Sequence, residues 1–170
     1  MKFAEQNREV FYATDHIKIV SSNELDFLTD KALANGRKRA RVCLHENESA
    51  TLHEMLIVHG RGAYIRPHKH FGKSESIHII EGLLDLVLFD DQGSITQVVN
   101  MGNYASGKPF YQRLDSPVFH TLIIRSERLI FHETTNGPFC RTESVFAPWA
   151  PEDVDFDLSL IHISEPTRPY

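Results

Sequence analysis

The chain has 170 residues, enough for a single domain that buries a real core. Its 18 basic and 23 acidic residues leave a net charge of -5, which gives no general attraction to nucleic acid or an anionic membrane, and no apolar run is long enough to span a bilayer. Two cysteines, Cys43 and Cys140, form no dense disulfide framework and MKFAEQNREV lacks the apolar run of a signal peptide, so a reducing, cytoplasmic setting is expected.

In chain order, residues 16–20 (HIKIV) predict a short strand. Ser21 with Glu24 three residues later makes a capping box, and LDFLTDKALAN running to Gly36 predicts one short amphipathic helix with Leu25, Leu28 and Ala32 toward the core. The basic run from Lys38 to Arg41 reads either as a nucleic-acid patch or as a solvated strand with one salt-bridged arginine, and alternation between two faces favours the strand. From there the pattern is β throughout, with strands expected at Lys38–Leu44, Leu52–Val58, Glu75–Ile80, Leu84–Phe89, Ile95–Asn100, Phe110–Leu114, Val118–Ile124 and Arg128–His132. Many short, evenly spaced strands predict an all-β sandwich or barrel.

One stretch carries the chemistry. Gly62 to Gly82 (GAYIRPHKHFGKSESIHIIEG) reads G-x5-H-x-H-x4-E-x6-G. Side chains two apart on a strand share a face, about 6 to 7 Å along it, so His68 and His70 converge. Glu75 opens the next apolar strand, whose return can carry a carboxylate to the same point. Two neutral nitrogens and an anionic oxygen suit one divalent transition ion, and iron, manganese, nickel, zinc and copper all remain open.

This spacing resembles the first motif of the cupin superfamily, matched at Gly62, His68, His70, Glu75 and Gly82. The resemblance implies a small jelly-roll barrel and a fourth ligand, His120 in SPVFHTLII. The second cupin motif is otherwise degenerate here, with Pro117 where its second glycine would fall. GAYIRPHKH with the following KSE, LVLFDDQG, NGPF and FAPWAP resemble the WbuC-type cupin-fold metalloproteins, small proteins often tied to bacterial surface-polysaccharide synthesis. The domain implied is 1–157, with the N-terminal strand and helix at about 16–37 and the barrel and FAPWAP segment at about 38–150. Leu158 to Arg168 (LSLIHISEPTR) resembles the in-frame translation of a sequencing-library adapter. Residues 158–170 are accordingly read as an artefactual tail, and His162 is set aside.

Tyr64 and Arg66 lie on the same strand face as His68 and His70, and if that face looks inward both border the metal. Arg66 would then bind an anionic substrate group, or else make a buried salt bridge to a residue such as Glu54 or Glu133; Tyr64 could donate a proton or stack. Lys73 matches the KxE pattern of the resembling family and sits either at the pocket mouth or in a solvated loop. His78 alternates with Glu75 and Ile77 and should face away from the metal, while His53 can line the barrel.

These residues predict a metal-binding protein with a small-molecule ligand and no nucleic-acid or membrane partner, expected as a homodimer. The activity implied is a metal-dependent enzyme on a small polar or anionic substrate, such as a sugar or sugar-nucleotide. An iron-dependent dioxygenase and a non-catalytic binding module are the alternatives.

Overall fold

The computed structural model describes residues 1–153, so the tail assigned to 158–170 lies outside the described residues. The chain folds as two packed antiparallel-rich sheets. Strands β1 (Phe3–Asn7), β2 (Val10–Ala13), β3 (Arg39–Cys43), β4 (Leu52–Gly60), β5 (His68–His70), β6 (Glu75–Glu81), β7 (Leu83–Phe89), β8 (Ile95–Gly102), β9 (Tyr111–Leu114), β10 (Phe119–Ile124), β11 (Arg128–Asn136) and β12 (Ser144–Phe146) follow in order, with helix α1 (Ser22–Leu33) between β2 and β3. The larger sheet runs β1-β2-β3-β4-β11-β6-β9 and the smaller β12-β5-β10-β7-β8. Sequence neighbours that alternate between the sheets make a jelly roll, the cupin architecture.

Period-2 alternation builds three apolar layers. The inner faces of both sheets interdigitate through Met55, Ile57, Ile77, Ile79, Leu84, Leu86, Leu122 and Phe131. The outer face of the larger sheet, through Val42, Leu56, Val58 and Ile130, is covered by Leu28 and Ala32 of α1. The outer face of the smaller sheet, through Val87, Phe89 and Phe119, is covered by Ala147, Trp149 and Ala150 of the FAPWAP segment.

Helix α1 starts at its capping box, where the Ser21 amide donates to Glu24 Oε2 at 2.8 Å. Glu24 also accepts from the Met1 amino group at 2.7 Å, and that contact, with Ser21, holds its carboxyl down at about 2. The helix ends at Leu33, a turn before Gly36, and the left-handed residue is Lys38 at φ 51. Gly36 is therefore not the stop residue; the chain turns at Asn35, whose side chain donates to the Lys31 and Arg39 carbonyls.

Three elements depart from the sequence reading. HIKIV forms no strand: Ile17 and Ile19 are 78% and 72% exposed, because the strand beside β3 is already supplied by β2. β1 and β2 form a hairpin that the polar FAEQN did not signal. β12 is three residues long and exists through its pairing with β5. Gly82 keeps the geometry its motif suggested, with φ +94 and no room for a Cβ, which would lie 2.4 Å from the Arg128 carbonyl oxygen.

Trp149 packs on Phe89 and Phe119 with ring centroids 5.0 and 5.8 Å away. Trp149→Ala should therefore destabilise the fold by about 3 kcal/mol in urea denaturation, and a loss under about 1 kcal/mol would show that the segment does not hold the sheet.

Buried His59 has no partner at Nδ1, and burial pushes its imidazole down to about 4. Between its ordinary value and about 4 the unfolded chain binds a proton that the native state does not, so stability should decrease as pH falls through that window. His59→Leu should flatten the slope of the urea midpoint against pH there. An unchanged slope would mean that His59 does not titrate as described.

Candidate metal centre

The ligand-bearing strands meet because pairing forces them to. His68 of β5 is in register with His120 of β10, and β12 runs along the other edge of β5 with Ser144 opposite His70 and Phe146 opposite His68. Alternation turns both histidines inward and Lys69 outward, where its ammonium lies 4.2 Å from the Phe119 ring centroid and 2.6 Å from Asp91. Glu75 enters from the opposite sheet as the first residue of β6, paired with Thr135 and Leu114.

The four side chains converge. His68, His70, Glu75 and His120 each offer one donor atom, all within 4.8 Å of one another. His70 Nε2 lies 3.2 Å from Glu75 Oε2, and His120 Nε2 lies 3.5 Å from Oε1. The far nitrogens are each occupied. His68 Nδ1 meets the Arg66 carbonyl at 2.9 Å, His120 Nδ1 meets the Val118 carbonyl at 3.0 Å, and His70 Nδ1 meets the Ser144 hydroxyl at 2.9 Å. A carbonyl can only accept, so His68 and His120 donate from Nδ1, which leaves their Nε2 atoms to face the cluster.

Electrostatics agree with that arrangement. Burial, helped by the neighbouring His120, pushes His68 down to about 4. Burial alone would raise Glu75, yet His120 and His70 outweigh it and hold the carboxyl well below its ordinary range. Burial likewise opposes a charge on His120, but Glu75 raises it. An ionised carboxylate thus lies buried beside three imidazoles, an arrangement suited to a cation. Buried His120 Nε2 has no hydrogen-bond partner, and three nitrogens with one anionic oxygen at this span fit a single first-row divalent ion.

The other predicted site residues are placed differently. β5 begins only at His68, so the alternation does not extend back to Tyr64 and Arg66. Tyr64 is buried and donates its hydroxyl to the Pro151 carbonyl at 2.9 Å, and burial pushes the phenol up to about 12. Arg66 donates to the Ala147 carbonyl at 3.3 Å, lies 3.6 Å from Glu152 and stacks over Phe146 at 5.3 Å. Its ion-pair partner is Glu152, since Glu54 faces His132 on the outside and Glu133 lies within the barrel. Lys73 is no solvated loop lysine: it donates to the Pro138 carbonyl and pairs with Glu143, both at 3.1 Å. His78 is exposed, and His53 is buried against His45 with Nε2 unpartnered.

Two polar residues inside the barrel were not assigned to the site from the sequence, Glu133 having been read only as an ion-pair partner for Arg66. Glu133 sits on β11 in phase with Phe131, and Gln112 sits on β9 opposite Ile77. Their signal was a polar residue on the apolar phase of a strand, but such a strand end is easily taken for its termination. Burial and the nearby Glu75 charge, lessened by Arg41, push the Glu133 carboxyl up to about 8.

Jelly-roll barrel and inward His3Glu cluster together define a cupin-fold protein. A family described as a domain of unknown function (DUF6016) matches residues 20–101. No curated protein matches the sequence. Among solved structures, protein SO0799 from Shewanella oneidensis is 9% identical with a TM-score of 0.51, over 75% of this chain and 81% of that one. Oxalate oxidase in complex with the substrate analogue glycolate is 11% identical with a TM-score of 0.51, over 68% and 58% of the two chains. CapF with the inhibitor 3-isopropenyl-tropolone is 10% identical with a TM-score of 0.50, over 62% and 30%. The chain thus spans less than two thirds of the latter two proteins, and at these identities the likeness is one of fold.

Ser144 fixes the His70 ring, so Ser144→Ala should weaken metal binding 10- to 100-fold in a chelator competition and leave the melting temperature of the metal-free protein unchanged. Equal affinity in the variant would remove Ser144 from the site.

Proposed function

We propose that the protein binds one divalent transition metal through His68, His70, Glu75 and His120, and acts as a metal-dependent enzyme on a small polar or anionic substrate. The observation that carries this is the orientation of the cluster, with the Nδ1 atoms held by Arg66, Val118 and Ser144 and the Nε2 atoms turned on an ionised Glu75. A metal held there would supply Lewis acidity to a substrate oxygen or activate a water. The chain's own part is to orient the imidazoles, to hold Glu75 ionised beside them and to set the donor geometry. A sugar or sugar-nucleotide of bacterial surface-polysaccharide synthesis is the proposed substrate class, supported by the WbuC-like GAYIRPHKH, NGPF and FAPWAP segments.

Arg66 is proposed as the rim group that meets an anionic part of the substrate, because its guanidinium overlies Phe146, whose ring is 6.2 Å from that of His68. Tyr64 and Lys73 are proposed to border the same site, Tyr64 tied to the Pro151 carbonyl and Lys73 to Pro138 and Glu143. A cytoplasmic homodimer is also proposed. Exposed Ile80, Tyr104 and Tyr111 beside His78 give it an apolar patch on which to self-associate.

Protein purified without a chelating tag should carry about one equivalent of transition metal by elemental analysis, and the combined His68→Ala and His70→Ala variant should carry none and melt at a lower temperature than the metal-loaded protein. Full occupancy in the variant would overturn the centre. Oxygen consumption by the iron-loaded protein would replace the proposed activity with a dioxygenase.

A further inference from the structure

The row of side chains next to Glu75 breaks the rule of an apolar core. Across the larger sheet Gln112, Ile77, Glu133 and Met55 are in register on the inner face, and Glu75 lies in the adjoining row between Leu114 and Thr135. Glu133 and Gln112 are thus both diagonal neighbours of Glu75, one on each flanking strand, at about 7 to 8 Å between Cα atoms. Long side chains at that separation reach the same space.

Both are unsatisfied by protein. Gln112 Nε2 and Oε1 are fully buried without a hydrogen-bond partner. Glu133 has no hydrogen bond or ion pair among the described residues, while keeping some accessible surface. A buried amide lacking both bonds is costly, and apolar Met55 and Ile77 beside it show that the row could have been closed without polar groups. An amide donor and acceptor on one side of Glu75 and a carboxyl on the other thus lack any partner among the described residues, and a bound molecule could supply it.

We propose that Glu133 and Gln112 form a subsite for the hydroxyl-bearing end of a small hydroxy acid or polyol whose other end is held at the His68, His70, Glu75 and His120 cluster. The proposal rests on that cluster being a metal centre. Hydroxyls answer the chemistry on both sides: they donate to the Glu133 carboxyl or Gln112 Oε1 and accept from Gln112 Nε2. An ammonium would find only one carboxyl in the row.

D-glycerate and propionate are the probes, equal in carbon count but differing in hydroxyls, and isothermal titration of the metal-loaded protein reads their affinities. The wild type should prefer glycerate by tenfold or more. Glu133→Met and Gln112→Met conserve volume and remove unsatisfied polar groups, so they should fold at least as stably. Each should reduce the preference to threefold or less with propionate affinity unchanged. No preference in the wild type, or a preference that survives both substitutions, would overturn the subsite. Metal content measured on the same samples reports on the centre itself, so loss of the metal and loss of the subsite are separately visible.

Discussion

Burial of an ionised Glu75 is the constraint on which the site depends. Moving a carboxylate into a protein interior is expensive unless charge and hydrogen bonds compensate, and here compensation comes from three imidazoles on the opposite sheet. Those imidazoles are held in turn by two backbone carbonyls and a hydroxyl. Removing any one of these supports leaves either a loosely oriented ring or an uncompensated anion. The two sheets are therefore held together by more than their apolar contacts, because the negative group lies on one and its partners lie on the other.

Much of the fold was legible because the strands from β3 onward obey strict alternation between turn signals. β4 and β11 even run longer than their apolar cores suggest, since long partners extend each other. What could not be read was whatever depends on a neighbour distant in sequence. β1 carries four exposed residues and no apolar phase, and pairs only because β2 is beside it. HIKIV has the right composition for a strand and remains exposed because β2 already occupies the edge of β3. Composition proposes a strand; an available edge decides it.

The candidate centre was legible for a related reason. Spacing on one strand brings His68 and His70 together without knowledge of the rest of the fold, and the motif adds Glu75 and His120. Tyr64 and Arg66 show the limit of that reasoning: alternation holds only where the chain is a strand, and residues 63–67 are not. Their partners lie in 146–152, a segment whose role could not be inferred from local pattern. Glu133 and Gln112 were hidden by the opposite problem, since a polar residue in phase with a core looks like an error until both sheets are in place.

The bond between His70 and Ser144 spans 74 positions of the chain. Local β-turns can form without it, but the third imidazole is not oriented until β12 has docked against β5, which requires nearly all of the intervening barrel to be in place. Contacts of such high sequence separation form late and slowly, because loop closure is entropically costly before they reward it. A cation that needs all four donors would therefore find no complete site on a partly folded chain. Loading would report on completed folding and lock it in, which would spare a nascent chain from being trapped by metal in a wrong pairing.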